Sequence, residues 1–265
     1  MTDPMDLEAD LQLLCEAVRE AGALAQRLKA DGLQVHFKPD HSQVTNADLA
    51  VDAQLKAQLR SARPTYGWRS EESPDDGSSL SAEASFVLDP IDGTHGFIKG
   101  KPWWTLAVAV VRAGRPVAGV VYAPELNALY AARAGGPALL NGEDIFATRR
   151  VHLEQAHAHG DPRLFGQDFW ADPWPDMDVQ ARPSVAYRMV AVAAGDIDFT
   201  LALTPKQSWD VAAADLICQQ AGAVVSDVHG QPYEYSDLGL RLDGLICAGP
   251  GLYPLILNRC QTIRA

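Results

Sequence analysis

Residues 86–94 read Phe-Val-Leu-Asp-Pro-Ile-Asp-Gly-Thr, an apolar run that leads directly into two aspartates. The apolar run predicts a buried strand, which we expect to stop at the first aspartate because the next residue, proline, fixes φ and lacks a ladder N–H. A turn there would aim the carboxylates of Asp89 and Asp92 and the carbonyl of Ile91 at one point, and Gly93 allows a sharp bend. Converging oxygen ligands suit Mg²⁺, Mn²⁺ or Ca²⁺ rather than Zn²⁺. The stretch is thus a candidate hard-cation site, although taken alone such a spacing more often forms a solvated turn.

Two further acidic groups stand beside predicted elements. Glu71 and Glu72 follow Trp68-Arg69-Ser70, and Asp210 directly precedes an alanine-rich run that predicts a helix. Taken alone, an acidic pair in a loop is usually solvated, and an aspartate at a helix start is usually a cap that the helix dipole favours. The three acidic groups occurring together, in this order and with these neighbours, make these plainer interpretations less favoured.

The hydrophobic pattern predicts a mixed α/β protein. Apolar residues recur every three or four positions from Leu7 to Leu28, which is typical of an amphipathic helix, and Thr45 or Asn46 can cap a second helix. Short apolar or alternating runs predict strands at 86–88, 106–111, 117–122, 128–132, 223–225 and 245–247. Further helices are predicted at 187–194, 211–221 and 252–260. We expect sheets covered by helices in layers.

Length and charge limit the function classes. The chain has 265 residues and a formal charge of −12, which allows one large domain or two small ones and argues against nucleic-acid binding. We expect an N-terminal half, 1–150, with Glu71 and the 89–94 site, and a C-terminal half, 151–265, with Asp210 and substrate-side residues. The two halves would form one catalytic unit.

The cysteines and the N-terminus predict a cytoplasmic protein. No two cysteines have CxxC spacing, so we expect buried free thiols of a reducing compartment. The cysteines are Cys15, Cys218, Cys247 and Cys260. The acidic start lacks the charged and apolar regions of a signal peptide, and no apolar run approaches the ~18 residues that span a bilayer. We therefore expect no membrane association.

Four motifs together resemble the signatures of the inositol monophosphatase superfamily. They are Val44-Thr45-Asn46-Ala47-Asp48, Glu71-Glu72-Ser73, Asp89-Pro90-Ile91-Asp92-Gly93-Thr94 and Trp209-Asp210-Val211-Ala212-Ala213-Ala214-Asp215-Leu216-Ile217 followed by Ala221-Gly222. The resemblance runs from about Lys38 to Gly249. It implies an α-β-α-β-α sandwich of the inositol monophosphatase and fructose-1,6-bisphosphatase type. It also implies a Mg²⁺-dependent enzyme that hydrolyses a small phosphomonoester with a metal-activated water.

The same resemblance implies roles for single residues. Glu71, Asp89, Asp92, Asp210 and the carbonyl of Ile91 match metal ligands. Asp48 and Thr94 match the pair that orients the attacking water, so the predicted catalytic residues are Asp48, Glu71 and Thr94. The predicted substrate contacts are Asp92, Gly93, Thr94, His95, Arg188 and Asp210, with backbone N–H groups of Gly93 and Thr94 facing the phosphate. The family pattern implies two or three Mg²⁺ per site, Mn²⁺ as a substitute, and inhibition by Li⁺ and Ca²⁺.

Three departures bear on the substrate. The run from His95 to Ile98 looks more like that of 3′(2′),5′-bisphosphate nucleotidases, and Arg188 falls where those enzymes carry a lysine. Leu203 occupies the place of a sugar-binding glutamate of inositol phosphatases. We therefore expect 3′-phosphoadenosine 5′-phosphate as substrate, with inositol-1-phosphate, histidinol phosphate or a sugar phosphate as alternatives. A non-catalytic metal- or phosphate-binding relative is a remote alternative, and a homodimer is one of the assemblies that the family shows.

Other residues leave plainer alternatives open. Arg188 could be a surface residue of its helix, and His95 a loop residue without a role. Ser70 replaces the glycine that usually precedes the glutamate pair, which should shift the loop slightly. The tryptophans can form an aromatic lip or pack in the core, and these are Trp103, Trp104, Trp170 and Trp174. Three nearby histidines predict a solvated loop rather than a metal site, and these are His152, His157 and His159.

Overall fold

The protein is layered, and a computed structural model describes residues 4–74, 76–236 and 241–263. The helices are α1 (Pro4–Asp31), α2 (Asn46–Ala62), α3 (Ser78–Ser81), α4 (Thr94–Ile98), α5 (Pro162–Phe165), α6 (Val185–Ala193), α7 (Ser208–Gln220) and α8 (Tyr253–Gln261). The strands are β1 (Val35–Phe37), β2 (Gln43–Thr45), β3 (Gly67–Ser70), β4 (Ala84–Asp92), β5 (Thr105–Arg112), β6 (Arg115–Ala123), β7 (Ala128–Arg133), β8 (Ala138–Leu140), β9 (Glu143–Asp144), β10 (His157–His159), β11 (Asp178–Gln180), β12 (Phe199–Ala202), β13 (Val224–Ser226) and β14 (Leu245–Ala248).

Two sheets alternate with the helices. The larger has the order β3-β4-β5-β6-β7-β8-β9 and is antiparallel except for the β3–β4 pair, and the smaller has the order β11-β10-β12-β14-β13. Helices α1 and α2 cover one face of the large sheet, α6 and α7 lie between the sheets, and α8 packs on the small sheet. This α-β-α-β-α order confirms the predicted fold class.

Strand β5 shows why the large sheet is buried on both faces. Leu106, Val108 and Val110 point into the core beside α1 and α2. Ala107 and Ala109 point into the core beside α6 and α7, where small side chains leave room for close helix packing. Successive side chains of a strand point to opposite faces, so a continuous apolar run fits a sheet with helices on both sides.

The expected end of β4 at Asp89-Pro90 is wrong, because the strand continues to Asp92. Its pairing with β5 is irregular between Asp89 and Asp92, and its pairing with β3 ends at Leu88. Pro90 is therefore accommodated at a bulge where the strand has one neighbour, a position at which proline removes no required ladder bond. The turn expected between the two aspartates is a bulged strand end, and both carboxylates still leave the same sheet edge.

The segment between the two sheets carries more structure than its pattern predicts. Strands β10 and β11 and the short helix α5 lie in the stretch 152–183, which shows no clear periodicity. The division at residue 150 stays a prediction, although α6 and α7 from the second half contribute to a core with the large sheet of the first. Among the described residues, no helix is both long and apolar enough to cross a membrane.

Candidate active site

The predicted acidic residues meet at one cavity of about 510 Å³. Glu71 follows β3, Asp89 and Asp92 lie at the bulged end of β4, and Asp210 stands in the first turn of α7. The ends of two adjacent strands and a helix from the second half of the chain thus supply the carboxylates. Ile91 lines the same cavity, although its side chain is buried in the core.

The electrostatics of this cavity disfavour so many negative charges without a counter-ion. Burial, followed by the nearby Glu71 and Asp92, raises the pKa of Asp89 well above its usual value. Burial and the proximity of Asp92 raise the pKa of Asp210 to about 7. The pKa of Asp92 is also raised by burial, against hydrogen bonds that lower it. Carboxyl groups crowded in this way favour either protonation or a bound cation.

Hydrogen bonds orient the carboxylates. Asp92 Oδ2 accepts from the Ser184 hydroxyl and the Ala186 N–H, both at 2.6 Å. Asp89 Oδ1 accepts from the Ile91 N–H at 3.0 Å. Asp210 Oδ2 accepts from the N–H of Gln207, the residue before α7, at 2.9 Å. Each of these three side chains uses one oxygen in this way, which leaves its other oxygen available to a cation.

The donor set fits a hard divalent cation. It contains only oxygen, and Mg²⁺ is typically held by one or two carboxylates with water and substrate phosphate completing its shell. Within the described ranges, no group of three or more acidic, histidine or cysteine side chains is arranged so that it could hold a metal ion by itself.

Asp48 and Thr94 are in contact, as the motifs imply. The Thr94 hydroxyl lies 3.1 Å from Asp48 Oδ1 and 3.0 Å from the Ile91 carbonyl. Asp48 is fixed at the start of α2 by a capping box with Thr45, which confirms Thr45 as the helix cap. Burial raises the pKa of Asp48 in spite of these hydrogen bonds.

Gly93 is required at its position for two reasons. Its φ is +91°, in the left-handed region that favours glycine. A Cβ there would also lie 3.0 Å from the Ser184 backbone nitrogen. The residue joins β4 to α4 and thereby presents Thr94 to Asp48.

Lys38 is a site residue that the sequence reasoning missed. It lies in the connection between β1 and β2, and its Nζ contacts Glu71 at 2.8 Å and Glu72 at 2.7 Å. Burial raises the pKa of Glu72 to about 7, against the hydrogen bond from Lys38. A lone lysine in a polar loop carries no sequence signal of such a contact, because 33 residues separate it from Glu71.

Asp52 is the second residue missed. It lies one turn after Asp48 on α2, is buried, and accepts hydrogen bonds from the hydroxyls of Ser70, at 2.5 Å, and Ser73. These two serines flank Glu71 and Glu72, so one carboxylate holds the glutamate loop from both sides. Ser70, the expected departure from the family pattern, is thus one of the two anchors of that loop.

Basic residues adjoin the acidic cavity. Arg188 of α6 is only 9% exposed, so the interpretation as a surface helix residue is wrong. Lys206 is 8% exposed and was not predicted. His95 is exposed at the cavity rim, with Nδ1 3.0 Å from Oε1 of Gln43. Leu203 and Lys206 line one further cavity with Arg188.

The aromatic and histidine side chains divide between core and surface. Trp104 packs edge-on against Phe97 in the core, and Trp170 and Trp174 pack with Phe165 or with each other under the small sheet. Core packing thus accounts for these three. Trp103 instead lines a cavity, with the Arg182 guanidinium 3.8 Å from its ring centre.

The predicted solvated loop is correct for His152 and wrong for two other histidines. His157 and His159 lie on strand β10, and His159 is buried. Burial, with Arg182 and Arg188 nearby, lowers the pKa of His159 to about 4, so the ring is neutral at pH 7.

Comparisons with known proteins find relatives that match nearly the whole chain. The model of the inositol monophosphatase family matches residues 6–263. An inositol-1-monophosphatase from Mesorhizobium japonicum is 31% identical, covering 85% of this chain and 88% of its own. A histidinol-phosphatase from Mycobacterium tuberculosis is 29% identical, and the match covers 89% of this chain and 94% of that relative. The crystal structure of the extragenic suppressor protein suhB from Bartonella henselae superimposes with a TM-score of 0.82 at 26% identity. The superposition covers 96% of this chain and 98% of the other.

The bisphosphate nucleotidases, to which the 95–98 segment was expected to be closest, are not among these relatives. What is shared is the whole-chain fold and the phosphatase activity that the relatives' names state. With the family match over nearly the whole length, the chain belongs to the inositol monophosphatase family and is a phosphomonoester hydrolase.

Proposed function

We propose that the protein hydrolyses a small phosphomonoester with Mg²⁺ at the cavity of Glu71, Asp89, Asp92 and Asp210. The observation that carries this proposal is the convergence of four carboxylates, two of them with strongly raised pKa values, beside the Asp48–Thr94 pair. The family as a whole is generally Mg²⁺-dependent, and the donor set is of the oxygen type that Mg²⁺ prefers.

Each residue has a distinct role in this proposal. Glu71, Asp89, Asp92, Asp210 and the Ile91 carbonyl hold two or three Mg²⁺, for which Mn²⁺ can substitute and against which Li⁺ and Ca²⁺ compete. When bound, Mg²⁺ supplies charge for the phosphate and the departing alkoxide and lowers the pKa of a water.

The attacking water is held by Thr94, whose hydroxyl bridges Asp48 and the Ile91 carbonyl. Asp48 accepts the hydrogen bond of Thr94 and so fixes the direction in which the threonine oxygen accepts from water. Phosphoryl transfer needs mainly positioning and electrostatic stabilisation, which this arrangement supplies without a covalent nucleophile.

Two substrate classes are supported by different observations. The relatives named for inositol phosphates favour inositol-1-phosphate, and another relative favours histidinol phosphate. Buried Arg188 beside the site favours a bisphosphate such as 3′-phosphoadenosine 5′-phosphate. His95 at the rim and the backbone N–H groups of Gly93 and Thr94 would face the substrate phosphate in either case. A cytoplasmic location and a homodimer remain predictions.

The test measures phosphate release from each of these substrates, once with about 5 mM Mg²⁺ and once with excess EDTA. Asp92→Asn should lower kcat by at least about 10²-fold with an unchanged far-UV spectrum, because it removes a carboxylate that faces the reaction. Asp144→Asn, an exposed carboxylate on β9, is the matched control and should keep full activity. Turnover in EDTA equal to that in Mg²⁺, or a near-wild-type rate for Asp92→Asn, would contradict the proposal.

A further inference from the structure

The bulge in β4 decides which way the Asp92 side chain points. Asp89 pairs with Ala107 of β5. If this antiparallel ladder continued without a bulge, Trp104 would lie opposite Asp92. The register shifts between the two aspartates, however, and Asp92 pairs with Thr105 instead. Residues that lie directly opposite each other in an antiparallel pair share one face of the sheet. The shift therefore puts Asp92 on the same face as Thr105.

This face of the sheet is the one that meets α6 and α7. Ala107, two residues after Thr105, belongs to the core beside these helices, whereas Trp104 belongs to the core beside α1 and α2. On a regular strand, residues three apart point to opposite faces, so Asp89 and Asp92 would be separated by the sheet. The bulge is thus what brings the two carboxylates to one side of it.

On this face, Asp92 meets Ser184, the residue directly before α6. The Ser184 hydroxyl lies 2.6 Å from Asp92 Oδ2 and 3.0 Å from the Thr105 hydroxyl. It also accepts the Tyr187 N–H at 2.8 Å and thereby caps the helix. Ser184 and Thr105 are both 0% exposed. The contact therefore joins β4, β5 and α6 at a point that is closed to water.

The chemistry of these groups fixes the direction of each hydrogen bond. A serine hydroxyl has one hydrogen to donate and two lone pairs that accept. A carboxylate that binds a metal ion is deprotonated and can only accept, so Ser184 donates its hydrogen to Asp92. One lone pair of Ser184 accepts from the Tyr187 N–H, and the other accepts from the Thr105 hydroxyl. Any rotation of the serine side chain would therefore break a buried hydrogen bond, which is costly.

These bonds hold the Asp92 carboxylate through one of its two oxygens. Oδ2 accepts from the Ser184 hydroxyl and from the Ala186 N–H, both at 2.6 Å. Hydrogen bonds to a charged acceptor are shorter and stronger than those between neutral groups. Two such donors on Oδ2 fix the orientation of the carboxylate, and Oδ1 is the oxygen that stays available to a cation.

We propose that Thr105 and Ser184 are positioning residues for the proposed metal ligand Asp92. The Thr105 hydroxyl donates to Ser184, Ser184 donates to Asp92, and the carboxylate is thereby held with Oδ1 open to Mg²⁺. Neither residue is among the described residues that line the acidic cavity, so both act through Asp92 and not on the substrate. This inference rests on the proposed function, because it concerns the affinity of the same site for Mg²⁺.

The test is calorimetric titration of the protein with MgCl₂ alone, followed by Mg²⁺ titrations of phosphate release from the fastest of the substrates named above. Partners of a metal ligand typically change metal affinity by about 10–100-fold when mutated, so Ser184→Ala should weaken Mg²⁺ binding about tenfold or more. Thr105→Val keeps the shape of the side chain without its hydroxyl and acts one bond further away, so it should weaken binding about threefold or more. At saturating Mg²⁺, the KM of Thr105→Val should stay within about twofold of the wild-type value.

Two further variants separate positioning from folding. Thr105→Ser restores the hydroxyl and should bring the Mg²⁺ affinity to within about twofold of the wild type. Ser226→Ala removes a hydroxyl that is also buried, at 1% exposure, and that joins the Tyr253 hydroxyl to the Asp227 carbonyl beside the small sheet. This control should lower the melting temperature but leave the Mg²⁺ affinity unchanged. Thr105→Val tests the proposal even if Ser184→Ala fails to fold.

The outcomes are distinct. Wild-type Mg²⁺ affinity in Thr105→Val and Ser184→Ala would overturn the positioning role and leave the phosphatase proposal intact. A loss of affinity in Thr105→Ser equal to that in Thr105→Val would also overturn it, because the hydroxyl would then not be the cause. If the wild type neither binds Mg²⁺ nor releases phosphate from any of the substrates, the proposed function itself is refuted, and the positioning role fails with it.

Discussion

Replacing Asp52 tests whether the glutamate loop must be held from α2. The Asp52 side chain is buried and accepts one hydrogen bond from Ser70 and one from Ser73. Asp52→Asn keeps the shape but exchanges one acceptor oxygen for an amide donor, so one serine loses its acceptor. A hydrogen bond to a charged group contributes about 1.5–3 kcal/mol, so we expect the free energy of unfolding to fall by about 2 kcal/mol.

The functional effect should appear in the Mg²⁺ requirement. Glu71 lies between the two serines, and loosening either anchor lets its carboxylate move away from the Asp89 side of the cavity. Residues that support metal ligands typically change metal affinity by 10–100-fold when mutated, so we expect the Mg²⁺ concentration for half-maximal activity to rise about tenfold or more. At saturating Mg²⁺, kcat should recover to within about threefold, because Asp52 does not face the substrate.

The assay combines urea unfolding with Mg²⁺ titrations of activity and of calorimetric binding. Ser70→Gly removes one anchor and should produce a smaller shift in the same direction, while Asp144→Asn should change neither quantity. A loss of stability without any change in Mg²⁺ affinity would show that Asp52 only supports the fold. An unchanged Mg²⁺ affinity in both variants would refute the anchoring role.

Two other perturbations follow from single contacts. Gly93→Ala should cost about 1–3 kcal/mol of stability and most of the activity, because φ is +91° and the new Cβ would crowd Ser184; a thermal melt within 1 °C or so of wild type would contradict this. Burial raises the pKa of Asp215 to about 6, so the native state binds its proton more tightly than the unfolded chain does. The stability contributed by this group is therefore present below pH ~4 and lost as pH rises through 6. Relative to Asp215→Asn, the wild type should gain up to about 3 kcal/mol between pH 7 and pH 4, measured by urea unfolding at both pH values. A difference that does not change with pH would exclude a raised pKa.

Local sequence was sufficient for much of the fold. Strands β5, β6 and β7 and helices α6, α7 and α8 were predicted close to their observed bounds, because each has a continuous apolar run or a clear three-to-four-residue period. Strand β4 is the exception, because it continues through Pro90 although the sequence predicted that it would end there. That outcome depends on β3 ending beside Leu88, a fact about the neighbouring strand that no local pattern contains.

The site residues likewise fall into those that the sequence predicted and those that it missed. The spacing of Asp89, Asp92 and Gly93 itself predicted converging oxygen ligands, whereas the roles of Glu71 and Asp210 and the pairing of Asp48 with Thr94 came from motifs that resemble the family. Lys38 and Asp52 carry no such spacing, since each acts on a loop that is 18 or more residues distant along the chain.

The sequence alone determined the layered α/β class and the acidic oxygen donors at the end of β4, because these follow from periodicity and side-chain type, which are local properties. The kind of chemistry came from the motifs that resemble the family. The tertiary structure decided the bulged path of β4, the anchoring of the glutamate loop, and the burial of Arg188 beside Lys206. These depend on which surfaces meet when the two sheets enclose α6 and α7, and it is this packing that buries Arg188 near the active site, with no hydrogen-bond acceptor for its Nε among the described residues.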